Sequence, residues 1–126
     1  MSEKEYLNEW IQKAEKDLKT VGILQDYPDM TEIICFHCQQ AAEKYLKVLL
    51  LSHDEEITKT HNIDYLLSLC TKFDDEFISY IGSPLPDYAV NIRYPDLKYI
   101  PTAEETNDAI KLTNEIIELV KANLKK

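Results

Sequence analysis

The sequence is poor in residues that make tight turns, with only 2 glycines and 5 prolines among 126 residues. Gly22 and Gly82 are isolated, which excludes the glycine-rich loops that wrap phosphate groups. Few glycines also means few of the tight turns that join the strands of β-hairpins. Apolar and polar residues hardly alternate, so no segment has the pattern of a half-buried strand.

The chain also lacks long apolar runs and has few basic residues. No run approaches the roughly 20 apolar residues of a membrane-spanning helix, and the N-terminus lacks a secretion signal, so we expect a cytoplasmic protein. The 14 basic and 23 acidic side chains give a net charge of −9. This balance argues against general nucleic-acid binding, which needs clustered lysine and arginine, and leaves open only a local patch or a basic partner.

The three cysteines, Cys35, Cys38 and Cys70, are odd in number and lie in apolar segments. Cys35 and Cys38 form a C-x-x-C pattern around His37, which could suggest zinc. Structural zinc needs about four converging ligands, however, and both cysteines face the apolar side of a predicted helix. We therefore expect reduced, buried thiols, with no metal and no cofactor.

Helical periodicity runs along nearly the whole sequence. Apolar residues, including Tyr6 and Trp10, recur at steps of three and four over residues 3–25, and a second such pattern covers residues 30–52. Pro28 lies between these patterns and ends the first helix. Shorter helical segments are predicted at residues 63–70, 76–81 and 88–92.

The last helix has the clearest start signal. Thr102 and Glu105 have the spacing of a capping box, in which each side chain bonds the backbone N–H of the other residue. Apolar residues then continue at helical spacing to the lysines near the C-terminus, which complement the helix dipole. The sequence predicts an all-α protein: one domain over residues 1–126, folded as an antiparallel up-and-down bundle of about five helices.

The second predicted helix carries Phe36 on the wrong side of its apolar stripe. At about 100° per residue, Phe36 falls in a polar arc with Gln40, Glu43, Lys44 and Lys47. A solvated face is the ordinary interpretation of such an arc. A phenyl ring left in water does not gain the roughly 1.5–3 kcal/mol of stabilisation that burial would give. We therefore expect another helix or a second subunit to cover the ring.

Three separated motifs resemble the HEPN family: FHCQQAAEKYLK at residues 36–47, KTHN at 59–62 and IRYPD at 92–96. The resemblance covers nearly the whole chain in order. It implies an all-α bundle, frequent homodimers, and frequent pairing with a small nucleotidyltransferase protein in prokaryotic two-component modules. It also implies two chemistries, namely RNA cleavage by toxin-like members and nucleotide or partner binding by others.

The ribonuclease motif that this resemblance implies, an arginine followed about four to six residues later by a histidine, does not occur here. Arg93 is the only arginine, and no histidine follows His61. RNA cleavage through the 2′-hydroxyl needs a base and a cation, and Arg93 has no histidine base beside it in the sequence.

The sequence therefore favours a homodimeric, non-catalytic module that binds a nucleotide, a small nucleotidyltransferase partner, or both, within a toxin–antitoxin-type module. The alternative is an RNA-cleaving toxin in which Arg93 acts with a substitute base such as His61. A scaffolding protein without a small ligand is a third interpretation.

Two loops supply the other candidate residues. His61 either caps the helix that follows it or faces a pocket with Lys44, Lys47 and Arg93, where nearby cations would disfavour its protonated form. In that pocket its imidazole could accept a hydrogen bond from a ligand.

Arg93 has two interpretations of its own. It either pairs with Asp96 or Glu43 and fixes its loop over Tyr94, or it binds a phosphate with its guanidinium fork. The sequence assigns no catalytic residue. The candidate ligand or partner residues are Phe36, Gln40, Glu43, Lys44, Lys47, His61, Arg93, Tyr94 and Asp96.

Overall fold

Helices make up most of the protein, which a computed structural model describes at residues 2–56, 59–89, 96 and 99–124. The α-helices in these ranges are α1 Glu3–Leu24, α2 Thr31–Ser52, α3 Ile63–Cys70 and α4 Ala103–Asn123. The 3-10 helices are Pro28–Met30, Asp75–Tyr80 and Leu85–Ala89. The described ranges contain no strand, and the all-α prediction is confirmed. None of their helices has both the length and the apolar character that a bilayer crossing requires.

The central helix is α2, which contacts α1, α3, α4 and two of the 3-10 helices. It supplies more buried apolar residues than any other described helix. Its fully enclosed members are Cys35, Ala41, Ala42, Leu46 and Leu49. Since burying a leucine stabilises a fold by about 1.5–3 kcal/mol, the packing around α2 holds the bundle together.

The first two helices form an antiparallel pair, as predicted. The Tyr45 hydroxyl of α2 donates to Glu15 Oε2 of α1 at 2.5 Å. Further along α2, Lys47 meets Trp10, which lies earlier in α1. The two helices therefore run in opposite directions.

The last helix, α4, runs in the same direction as α2. The Cys35 thiol donates to Thr106 Oγ1 at 3.8 Å, and the Thr113 hydroxyl donates to the Cys38 carbonyl at 3.4 Å. The Leu85–Ala89 segment contacts both helices, because the chain returns toward the start of α2 before α4 begins. The bundle is thus antiparallel in its first pair and parallel between its central and last helices.

Some predicted boundaries shift. Helix α2 begins at Thr31, because Met30 ends the preceding 3-10 helix. The segment expected at residues 76–81 is the 3-10 helix Asp75–Tyr80. Pro86, expected in an interruption, lies in the first turn of Leu85–Ala89, where a missing N–H costs no helical bond. Residues 90–92 of the predicted turns lie outside the described ranges.

The capping box at the start of α4 is confirmed. The Glu105 N–H donates to Thr102 Oγ1 at 3.0 Å, and the Thr102 N–H donates to Glu105 Oε1 at 2.9 Å. The backbone bond from Thr102, followed by the hydroxyl bond from Tyr99, lowers the pKa of the Glu105 carboxyl below its ordinary value.

Replacing Thr102 by Ala should lower the free energy of unfolding by about 1 kcal/mol, because the Glu105 N–H loses its acceptor. Urea denaturation followed by circular dichroism measures this change. The control is Thr20→Ala inside α1, where the hydroxyl bonds the Lys16 carbonyl and caps nothing. Equal losses in the two variants would rule out a special role for the cap.

Candidate functional site

A cavity of about 410 Å³ lies between the first half of α1 and the middle of α2. We name it the α1–α2 cavity. Helix α1 lines it with Tyr6, Glu9, Trp10 and Lys13. The other lining residues are Gln40, Glu43, Lys44 and Lys47 of α2 and His61 of the loop before α3. Its volume falls within the range of about 300–1000 Å³ typical of small-molecule sites.

The α1 wall of the cavity is aromatic. Tyr6, Trp10 and Lys13 share one helical face because they are spaced by four and three residues. The Tyr6 and Trp10 rings meet edge to face, with centroids 6.3 Å apart and planes at 84°. The Lys47 ammonium lies 5.5 Å from the Trp10 ring centroid, within cation–π range. Ring surface and positive charge are therefore adjacent at this wall.

The α2 wall contains a buried carboxylate, Glu43, which is only 3% exposed. Its Oε2 accepts from Lys47 Nζ at 3.4 Å, and its Oε1 lies 3.1 Å from His61 Nδ1. A buried carboxylate costs several kcal/mol unless such partners compensate it. Because the Glu43 carboxylate accepts a hydrogen bond from Nδ1–H, a neutral His61 ring has Nε2 as an acceptor, which no group in the described residues occupies.

A second buried carboxylate, Asp17, ties α1 to α2 beside the cavity. Asp17 Oδ2 accepts from Lys44 Nζ at 2.5 Å, and Oδ1 lies 2.8 Å from His37 Nδ1. Asp17 is 7% exposed, so the attraction is little screened by water. These bonds fix the position of the Lys44 ammonium at the cavity wall.

The structure brings five predicted residues together around the cavity: Gln40, Glu43, Lys44, Lys47 and His61. Phe36 is not among the lining residues; it is half-buried, and its ring lies edge-on to His37 at 5.4 Å. Asp96 is exposed and likewise does not line the cavity. Arg93 and Tyr94 lie outside the described residues.

The polar arc of α2 is covered by elements of the same chain, one of the two covers that the sequence left open. The arc is not a solvated face, because Glu43 is 3% and Lys47 6% exposed beneath α1 and the loop before α3. Lys44 and Lys47 line the cavity with His61, as one interpretation of this histidine expected, and the charged group bonded to His61 is the Glu43 carboxylate. His61 is therefore positioned by an acceptor.

The sequence interpretation missed the contribution of α1. Tyr6 and Trp10 were assigned to the core stripe, yet Tyr6 is 41% exposed and both rings line the cavity. Glu9 and Lys13 were not singled out at all. Their shared helical face was visible in the sequence, but nothing in the sequence says which part of α2 that face meets.

The Cys35–His37–Cys38 segment does not converge on one point. Burial raises the pKa of the Cys35 thiol to about 11 and of the Cys38 thiol to about 12, so both stay protonated at neutral pH. The Cys35 thiol contacts Thr106 of α4, whereas His37 bonds Asp17 of α1. Within the described part of the chain, no three His, Cys, Asp or Glu side chains are grouped to hold a metal ion.

Comparison with known proteins identifies the family. A family model for the HEPN domain matches residues 7–123. The chain belongs to the HEPN family. The crystal structure of an archaeal HEPN homologue superposes with a TM-score of 0.63 and 27% identity, over 94% of this chain and 98% of that chain. No curated protein matches the chain. Membership of this family supports a nucleotide-binding or ribonuclease-type module.

In this HEPN domain, two of the three family-like motifs meet at the α1–α2 cavity. The 36–47 motif supplies the α2 wall, and the 59–62 motif supplies His61, which bonds Glu43 of the first motif. Residues 92–95 of the third motif lie outside the described ranges. The cavity is therefore built from the segments that carry the family resemblance, together with α1.

Replacing Glu43 by Leu should lower the free energy of unfolding by about 3 kcal/mol, because the Lys47 ammonium would stay buried without its carboxylate. This loss is at the lower end of the range for breaking a buried ion pair, because the Trp10 ring also attracts the Lys47 ammonium. The double variant Glu43→Leu with Lys47→Met should recover most of the loss in chemical denaturation. A double variant as unstable as the single one would disprove this electrostatic account.

Proposed function

We propose that this HEPN domain is a non-catalytic binding module that takes a nucleotide in the α1–α2 cavity and pairs with a small nucleotidyltransferase protein. The observation that supports nucleotide binding is the cavity itself. It combines aromatic rings, ammonium groups and an amide within about 410 Å³. These are the groups that recognise the base and the phosphate of a nucleotide.

Each part of a nucleotide has a matching group in the lining. Tyr6 and Trp10 offer rings to the base, and stacking of a base on an aromatic side chain is worth about 1–3 kcal/mol. The Gln40 amide can both donate to and accept from a base edge. His61 Nε2 can accept from a ribose hydroxyl, and the lysines attract phosphate.

The non-catalytic part of the proposal rests on the sequence and on the position of His61. The chain has one arginine and no histidine after His61, so the family's ribonuclease pairing cannot form within it. Glu43 bonds Nδ1 of His61 and so suits the ring to hold a ligand. RNA cleavage that is present in the wild type and absent in Arg93→Ala would overturn this part and favour the toxin.

Pairing with a small nucleotidyltransferase is supported by the family resemblance, in which such two-component, toxin–antitoxin-type modules are frequent. Phe36 is the candidate contact for that partner or for a second copy in a homodimer, because its ring is partly exposed outside the cavity. Arg93, Tyr94 and Asp96 of the third family-like motif are further candidates for that contact. A partner surface that packs over the Phe36 ring would gain the free energy of removing the ring from water.

Tyr6→Ala should weaken nucleotide binding about tenfold, because it removes one ring of the aromatic wall. Trp10 is the only tryptophan, so its fluorescence reports directly on the cavity during titration with AMP, ADP and ATP. The matched control is Tyr65→Ala, since Tyr65 is 44% exposed against 41% for Tyr6 and lies outside the cavity.

Two outcomes of this titration would contradict nucleotide binding in the cavity. One is the absence of any fluorescence change or calorimetric heat with every nucleotide. The other is an equal loss of affinity in Tyr6→Ala and Tyr65→Ala.

Phe36→Glu should abolish co-elution with a nucleotidyltransferase encoded in the neighbouring reading frame, because a charge would replace the apolar contact. Size-exclusion chromatography with light scattering on the co-expressed pair measures this. The control is Ile78→Glu, at an apolar residue that is 57% exposed on the Asp75–Tyr80 segment. A wild type that elutes as a lone monomer beside the co-expressed protein would count against the partner proposal.

A further inference from the structure

Three lysines line the α1–α2 cavity, but carboxylates already hold two of them. Asp17 Oδ2 lies 2.5 Å from Lys44 Nζ, and Glu43 Oε2 lies 3.4 Å from Lys47 Nζ. Lys13 is exposed on α1 and forms no ion pair within the described residues. It is therefore the lining lysine that is most available to a ligand anion.

The charges around the cavity nearly balance before any ligand arrives. Three ammonium groups face the lining carboxylates of Glu9 and Glu43, and Asp17 adds a further carboxylate directly behind Lys44. One terminal phosphate carries about −1.5 to −2 charges at neutral pH. Each further phosphate would add negative charge beside Glu9 and Glu43 without a further free lysine to offset it.

The backbone of the α1 and α2 walls offers no free donors to a phosphate chain. Residues 6–13 and 40–47 lie within α1 and α2, where each N–H bonds the carbonyl four residues earlier. Even at the edge of the cavity, the Tyr6 N–H donates to the Ser2 carbonyl at 3.0 Å. Polyphosphate sites instead use free N–H groups at helix starts or glycine-rich loops. The helical walls must bind phosphate through side chains alone.

The spacing along α1 suits a ligand with one phosphate. Lys13 follows Tyr6 by about two helical turns, or roughly 10 Å along the axis. The aromatic rings and the free ammonium can therefore contact opposite ends of a single nucleotide. Lys13 follows Trp10 by three residues, so the phosphate site and the ring surface share one face.

We infer that the α1–α2 cavity selects nucleoside monophosphates, with the phosphate on Lys13 and the base against Tyr6 and Trp10. This inference rests on the proposed nucleotide binding and narrows its ligand class. A nucleoside lacks the charge that Lys13 attracts. A di- or triphosphate places further charge beside Glu9 and Glu43.

Titration of the full chain with adenosine, AMP, ADP and ATP, followed by Trp10 fluorescence and calorimetry, tests this inference. AMP should bind about tenfold more tightly than adenosine and, without Mg²⁺ to neutralise the added phosphates, more tightly than ADP or ATP. The corresponding guanosine, cytidine and uridine series show whether the same order holds for other bases.

Lys13→Ala should weaken AMP binding about tenfold and leave adenosine binding unchanged, because only the phosphate contact is lost. Lys19→Ala is the matched control, since Lys19 is exposed on the same helix and lies outside the cavity. A merely structural role of Lys13 would weaken adenosine and AMP binding equally.

The remaining outcomes separate this inference from the proposed function. ADP or ATP binding more tightly than AMP without Mg²⁺ would overturn the selection for one phosphate while leaving nucleotide binding intact. Equal effects of Lys13→Ala on adenosine and AMP would do the same. Failure of every nucleoside and nucleotide to bind would overturn both.

Discussion

The enclosure of α2 is the constraint on which the rest of this HEPN domain depends. Because α1, α3, α4 and two 3-10 helices all contact α2, its polar side cannot remain solvated. Glu43 and Lys47 are buried there, and each needs a partner of opposite charge. Asp17 supplies the same compensation to Lys44 from α1. The bonds of Asp17 to Lys44 and His37 thus tie α1 to α2.

The same pairing decides what the cavity offers a ligand. Lysines that neutralise buried carboxylates are fixed in position, whereas Lys13 is exposed and unpaired within the described residues. The aromatic rings of α1 complete a site with much ring surface and little surplus charge. A net charge of −9 for the whole chain is compatible with such a site, because local arrangement rather than net charge governs binding of a small anion.

The sequence predicted the helices well where local chemistry decides them. Pro28 separated α1 from α2, and the Thr102–Glu105 capping box marked the start of α4. The direction of α4 could not be predicted, because it depends on how the segment between α3 and α4 returns along the bundle. One of the two interpretations of His61 placed it in a pocket with Lys44 and Lys47, which both line the cavity, but the α1 wall was not predicted.

The sequence by itself determined the all-α class, the helix boundaries to within a few residues, the family, and the absence of the family's arginine–histidine pair. Periodicity, proline and capping are local, so they can be read from neighbouring residues. Only the tertiary structure decided that the polar arc of α2 is buried and that Tyr6 and Trp10 face Glu43 and Lys47. Contacts between separate helices depend on direction and register, which no single helix encodes.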